Sequence, residues 1–328
     1  MIRPSETAFA AFVAILGRGP GRSRALTRDE ARTAFGMVLR NEADPHQTGA
    51  FLMLLRYRGE DPDEIAGMVQ AARDHAGIGA ALPAADLDWP SYGAGRTRGA
   101  PWFLLAALAL ARSGVRVLMH GSNDFSAGIA VPDALAALGL RPETGSAAAG
   151  AALRTSRFAY LPLDAMAPGL HRLLDMRRLF GLRSPVNTVA RLLNPADAPS
   201  GVDGVFHPPY IDVHLGVAER MGRRRLLVLK GGGGEAERVP LKPGIASVWD
   251  SAAGRLDYAL PAIDGLAPHP AATDTPASFA AVWTGESTPP TPLATIQATI
   301  ALALLALGQA GNAGQAMDRA AAVWMQRL

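Results

Sequence analysis

The 328-residue chain has no cysteine, which excludes a disulfide framework and any thiolate metal site. Lysine is nearly absent too: Lys230 and Lys242 are the only two, so arginine carries almost all of the positive charge. There is no charged-then-apolar leader at the start. The longest nearly apolar runs, Trp102–Ala111 and Leu293–Leu307, are too short or too interrupted to span a bilayer. A cytoplasmic protein without membrane contact is therefore expected. The seven histidines show no metal-ligand spacing, and neither a metal nor a cofactor is expected. Basic residues are missing from 256–318, which holds five acids.

The positive charge that is present is clustered. Net charge is only +3, yet residues 154–191 carry seven arginines (154, 157, 172, 177, 178, 183 and 191) against Asp164 and Asp175. Such a cluster points to an anionic partner more than to a solvated face.

Helix-start signals dominate the first 75 residues. Thr27-x-x-Glu30, Asp44-Pro-x-Gln47 and Asp61-Pro-x-Glu64 read as three successive capping boxes, two of them with proline at the first helical position. Behind the first, Ala31, Ala34, Phe35, Val38 and Leu39 recur at helical period; behind the second, Phe51, Leu52 and Leu55 do so. Residues 1–78 are predicted to be a small α domain, joined by helices from about 166–190. The Ala/Gly/Pro-rich stretch 77–85 reads as a hinge. From 79 to 328, short apolar runs (Val115–His120, Phe158–Leu161, Gly201–Phe206, Leu226–Lys230) alternate with helical patterns (Ala100–Arg112, Ser126–Leu138, Asp164–Phe180, Pro208–Met221). That alternation predicts a larger α/β domain with a mostly parallel central sheet covered by helices. Residues 247–292 read as short strands and loops, and two helices, Pro292–Leu307 and Gly314–Gln326, close the chain.

Two glycine-rich segments stand out as anion cradles, because bare backbone N–H groups can approach a phosphate closely. One is Ser91-Tyr-Gly-Ala-Gly-Arg-Thr-Arg-Gly99, a strand-to-helix loop carrying Arg96 and Arg98. The other is Lys230-Gly-Gly-Gly-Gly234 at a strand end. Cations oppose the dipole of a helix start, so Arg96 and Arg98 call for an external anion. Arg223, Arg224 and Arg225 precede the second strand and belong to its opposite end.

Further motifs carry a resemblance. Gln47-Thr-Gly-Ala-Phe-Leu-Met53, Gly59-Glu-x-Pro-x-Glu-Ile-Ala-Gly67, His120-Gly121, Asn194-Pro195 and Gly204-Val-Phe-His-Pro208 resemble the anthranilate phosphoribosyltransferase and class III nucleoside phosphorylase family, over nearly the whole chain. The resemblance implies a small α domain, a hinge, a larger α/β domain, and homodimers built through the α domains. The enzymes' Gly-Thr-Gly-Gly-Asp loop, which binds the diphosphate of phosphoribosyl diphosphate, is replaced here by the acid-free loop at 91–98. Their magnesium-holding Asp-Glu pair falls near Ala236-Glu237, where one acid is missing. The replacements, together with Arg183-Ser-Pro-Val186 and Lys230-Gly-x-Gly-Gly-Glu-x-Glu-Arg238, resemble the YbiB-like branch, which is associated with nucleic acid.

The sequence therefore favours a non-enzymatic protein that binds single-stranded DNA or RNA without sequence preference, along a basic groove between the domains. Its phosphate-binding residues are expected to be Tyr92, Gly93, Gly95, Arg96, Arg98, Arg157, Arg177, Arg178, Arg183, Lys230, Gly231, Gly233 and Arg238, with Tyr92 able to stack a base. No catalytic residue is assigned. The alternative is a glycosyl- or phosphoribosyltransferase with an unassigned acceptor. In the enzymes an arginine near Arg177 and Arg178 holds the anthranilate carboxylate. His120, His207 and His214 are read as structural, His120 for want of a paired acid.

Overall fold

The computed structural model describes residues 4–19, 21–79, 82–83, 85–93 and 98–328. Gly95 and Arg96 lie outside them. Helices α1 (Pro4–Gly17), α2 (Arg28–Leu39), α3 (Pro45–Arg58) and α4 (Pro62–Ala76) come first. Thr27 and Asp44 close reciprocal capping boxes at α2 and α3. The third expected box is only half made. Asp61 accepts from the Asp63 and Glu64 amides, but the Glu64 carboxylate is buried and accepts instead from Leu26 N at 2.7 Å. A distant unpaired amide outbids the local cap.

The α/β part runs β1 (Leu87–Ser91), α5 (Trp102–Arg112), β2 (Val117–Gly121), α6 (Val131–Ala137), α7 (Ser146–Thr155) and β3 (Phe158–Pro162). Four short helices follow: α8 (Leu163–Met166), α9 (Pro168–Asp175), α10 (Arg177–Phe180) and α11 (Val186–Arg191). The chain continues with β4 (Ser200–Val205), α12 (Tyr210–Arg220), β5 (Arg225–Lys230), β6 (Gly244–Asp250), β7 (Gly254–Leu260), α13 (Pro276–Thr284), α14 (Pro290–Ala306) and α15 (Ala313–Met325). The single helix expected over 164–180 is broken by Pro168, which follows a non-helical Ala167, and ends at Gly181 with φ +66°. That break leaves an arginine-bearing turn at 177–183 in place of a smooth helix face.

Among the described residues the sheet has seven strands in the order β3-β2-β1-β4-β5-β6-β7. The first five are parallel, and β6 and β7 add antiparallel at one edge. Both faces of the parallel part are covered. Val117 and Met119 of β2 and Leu227 and Leu229 of β5 pack with α5 and α14; Leu118, Leu226 and Val228 face the layer that includes α4, α11 and α12. This period-two division of side chains between two apolar cores is what a parallel sheet requires. Helices α9 and α11 pack on α4, and Arg172 Nη2 donates to Asn41 Oδ1 at 2.8 Å. Chain order reverses between β1 and β4, which neighbour each other in the sheet, so a crevice opens beyond their carboxyl ends. Among the described residues no helix is long and apolar enough to cross a membrane.

Candidate active site

A cavity of about 300 Å³ occupies that crevice. Tyr92 follows β1, Val205 ends β4, and Gly233 and Gly234 follow β5; all three segments wall it. The helical part supplies Arg56 from the last turn of α3 and Glu60 from the α3–α4 link. Glu60 is held there by its neighbours: Gly59 takes φ +90°, open to glycine without strain, and Asp61 caps α4. The broken helical run supplies Arg177, Arg183 and Arg191, and α12 supplies Tyr210 and His214.

Four guanidiniums thus converge on one cavity. Arg191 is neutralised: its Nη1 lies 3.0 Å from Asp203 Oδ1, while His214 Nδ1 sits 2.7 Å from Asp203 Oδ2. Burial pushes the Asp203 carboxyl up, but His214 and Arg191 outweigh it and hold the group below its usual range. Arg56 donates to the Tyr210 hydroxyl. Arg177 lies 4.6 Å over the Phe125 ring and Arg183 5.6 Å over Phe206. Arg177 Nη1 is buried without a hydrogen-bond partner. Among the described residues none of Arg56, Arg177 and Arg183 has an ion pair with a carboxylate. Burial first, then repulsion from Arg177, Arg191 and Arg56, lowers the pKa of Arg183. Positive charge that outnumbers the single lining carboxylate, Glu60, in a bounded cavity fits a small anionic ligand.

Beside this cavity lies the turn after β5. A Cβ on Gly231 would stand 1.6 Å from the Glu235 carbonyl oxygen, and one on Gly204 would stand 2.0 Å from it. The turn folds so closely over the end of β4 that only glycine fits. It also swings Glu235, buried, against the first loop, where a Cβ on Gly93 would meet Glu235 Oε1 at 2.6 Å. Glu237 Oε2 accepts from Phe103 N at 3.0 Å and Asp274 Oδ2 from Ala100 N at 2.9 Å. The amides at the start of α5, expected to face a foreign phosphate, are therefore met by the chain's own carboxylates.

The magnesium site implied by the resemblance does not fit these residues. Buried Ala236 separates the two acids, one turned to Gly93 and the other to α5. Among the described residues no group of three or more His, Cys, Asp or Glu gathers as a metal site.

The predicted phosphate-binding residues do not form one groove. Arg177, Arg183, Tyr92 and Gly233 line the cavity, and Gly93, Gly231 and exposed Lys230 border the same end of the sheet. Arg98 is exposed in the first loop. Arg157 precedes β3 and so lies at the opposite end of the sheet. Arg178 is paired with Asp175 at 2.5 Å. Arg238 is buried, its guanidinium bonded to the carbonyls of Val239, Leu260 and Pro261. Tyr92 is buried with its hydroxyl 2.9 Å from His120 Nδ1, so no ring face is open for a base. His120 is not without an acid, for its Nε2 is 3.2 Å from Asp88 Oδ1, and Asp88 also takes Arg223 Nη2 at 2.7 Å. Arg225 begins β5 and is far from the cavity, as its place in the strand implied.

Sequence reasoning missed Arg56, Glu60, Tyr210 and the acid partners Asp203 and Asp88. Glu60 had a signal: it stands between Gly59 and a proline-flanked cap, in a turn that must face another part of the chain. The others depend on pairings across long sequence separations.

Comparison with known proteins shows the family. The helical-bundle domain of a glycosyl transferase family matches residues 12–76, and its a/b domain matches residues 103–324. The anthranilate phosphoribosyltransferase of Methylobacterium nodulans is 32% identical over 308 residues, covering 90% of this chain and 89% of that protein. The enzyme of the same name from Beijerinckia indica is 30% identical over 258 residues, 79% of this chain and 74% of its own. The crystal structure of anthranilate phosphoribosyltransferase from Thermus thermophilus superposes with a TM-score of 0.79 at 25% identity, over 98% of this chain and 95% of that one. The yeast enzyme, solved in complex with PRPP and Mg, shares the fold at 16% identity with a TM-score of 0.77, over 98% and 94% of the two chains. These relatives overturn the expectation of a non-enzymatic nucleic-acid binder. The physical reason agrees, since the free arginines converge on a cavity of small-molecule size and do not track a strand. The chain belongs to this glycosyl transferase family, alongside proteins named anthranilate phosphoribosyltransferase.

Proposed function

We propose that the protein is a glycosyl- or phosphoribosyltransferase that moves a sugar phosphate from a diphosphate-activated donor to a small anionic acceptor. One observation carries this reading. The cavity at the switch point of the sheet presents Arg56, Arg177 and Arg183, none of them in an ion pair with a carboxylate among the described residues. The names of the relatives supply the donor and acceptor class.

The residues divide the work by position. Arg177 and Arg183 hold the acceptor's anionic group in the cavity, the stacked Phe125 and Phe206 rings fixing both guanidiniums. Lys230 and the backbone of the glycine turn face the donor's phosphates at the rim, where Gly233 and Gly234 enter the cavity wall. Departure of the diphosphate places negative charge on the leaving group. Fixed cations and amides stabilise that charge without reorganising.

The test combines PRPP with a panel of aromatic carboxylates that bear an amino group, and follows diphosphate release. Release that requires both compounds supports the reading. If PRPP fails to bind at millimolar concentration and no diphosphate appears with any acceptor, the reading is lost.

A further inference from the structure

We infer that Glu60 is the group that takes the proton from the acceptor's nucleophile. The inference rests on the proposed transfer reaction and assigns it a catalytic residue. Among the described residues Glu60 is the one carboxylate in the cavity wall, which also carries Arg56, Arg177 and Arg183; Asp203 lies outside that lining and is engaged by Arg191 and His214. Its Oε2 is shut off from solvent and has no hydrogen-bond partner among the described residues. A buried carboxylate oxygen left unsatisfied inside a polar cavity costs free energy unless a ligand's N–H or O–H meets it.

The surroundings of Glu60 suit a base that must both accept and release a proton. Burial raises its pKa, while the Thr188 hydroxyl, His214, Arg56 and the Tyr210 hydroxyl pull it back down. Arg177, Arg183 and Arg191 complete the charged lining. A carboxylate raised toward neutrality is matched to proton transfer in a way that an exposed one is not.

The step balances without any further reagent. The bond between the sugar C1 and the diphosphate oxygen breaks, and its electron pair leaves with the diphosphate. The lone pair of the acceptor's N–H or O–H nucleophile forms the new bond to C1. The proton made acidic by that bond passes to Glu60 Oε2 and is later lost to water. Arg177 and Arg183 anchor the acceptor's anion in the cavity that Glu60 enters from the α3–α4 link.

The experiment compares the full-length parent with Glu60→Gln, Glu60→Asp and Tyr210→Phe. With the donor and an active acceptor, kcat of the Gln variant should fall about a hundredfold or more. Benzoate, an anion without the transferable proton, should bind the parent and the Gln variant alike, within about twofold. The parent's kcat should decline as pH falls through an acid limb lying above the ordinary carboxylate range. That limb should vanish in the Gln variant, persist in the Asp variant with part of the rate, and move to higher pH in Tyr210→Phe. A parent that turns over beside a Gln variant of similar rate and unchanged acid limb overturns the inference and leaves the proposed function standing. A parent without turnover overturns both. Loss of benzoate binding in the Gln variant overturns the inference in favour of a structural role.

Discussion

At the scale of single residues, Glu64 is a buried carboxyl with a pKa pushed up to about 7, first by burial and then by the neighbouring Asp61. Its folded-state value lies above its unfolded one, so the native state holds the proton between about 4.5 and about 7. Stability from this group is complete below that window and is lost as pH rises through it. Glu64→Gln keeps an oxygen for the Leu26 amide and removes the titration. The melting temperature of the Gln variant should gain on the parent between about pH 5 and about pH 8; parallel pH profiles would refute this. Arginines should divide just as sharply. Arg183→Ala removes a cavity cation and should weaken benzoate binding about tenfold or more at unchanged melting temperature. Arg238→Ala deprives three carbonyls of their donor and should cost about 1–3 kcal/mol of stability in denaturant titration, with benzoate affinity unaltered. The two residues look alike in sequence. What separates them is that Leu260 and Pro261 come back to Arg238 from the far side of a hairpin, which no local pattern around 238 records.

At the scale of elements, the strands and helices were legible where the signal is local and weakened where tertiary contacts decide. Strands β2 to β5 and helices α12, α14 and α15 follow from apolar period and cap residues, most of them within a residue or two of where they stand, whereas α13 stands in a stretch expected to hold only short strands and loops. The run at 164–180 misled, because its apolar period continues through Pro168 while the backbone does not. The break sets Arg177 on the short α10, which ends at Gly181, so that Arg177 and Arg183 line one cavity with Arg56. The glycines of Lys230–Glu235 suggest close approach of a phosphate from the sequence; the partner that stands close to them is the chain's own backbone. Gly231→Ala is therefore a test of the element. Its methyl would collide with the Glu235 carbonyl across the turn, so the turn must open, displacing Gly233 and Gly234 from the cavity wall. The expected result is lower thermal stability together with lost substrate binding. Gly254→Ala, at a hairpin turn with φ +74° and nothing nearby, should lower stability and leave binding intact. Equal loss of binding in both would show that the turn holds nothing specific.

At the scale of the molecule, the helical part carries apolar surface that its own chain leaves uncovered. Tyr57 of α3 is 91% exposed and Leu179 of α10 is 83% exposed, with Leu182 close behind it in sequence at 57%. On α1, Phe12, Val13 and Ile15 are only partly covered. Large apolar side chains held in water on α3 and at 179–182 point to a second copy as their cover. We propose a two-fold dimer through these helices. A cavity walled partly by α3 and by the turn at 177–183 would then sit close to the subunit contact, so assembly would brace Arg56 and Arg183. The expected outcome is a dimeric mass by light scattering at micromolar protein. Tyr57→Glu, which puts a charge into the contact from an exposed position, should shift the mass to monomer without lowering monomer solubility. Benzoate affinity should fall in the same variant, because the arginines lose their brace. A parent that is monomeric at that concentration sinks the assembly. A Tyr57→Glu monomer with parental affinity would keep the dimer and remove its link to the site.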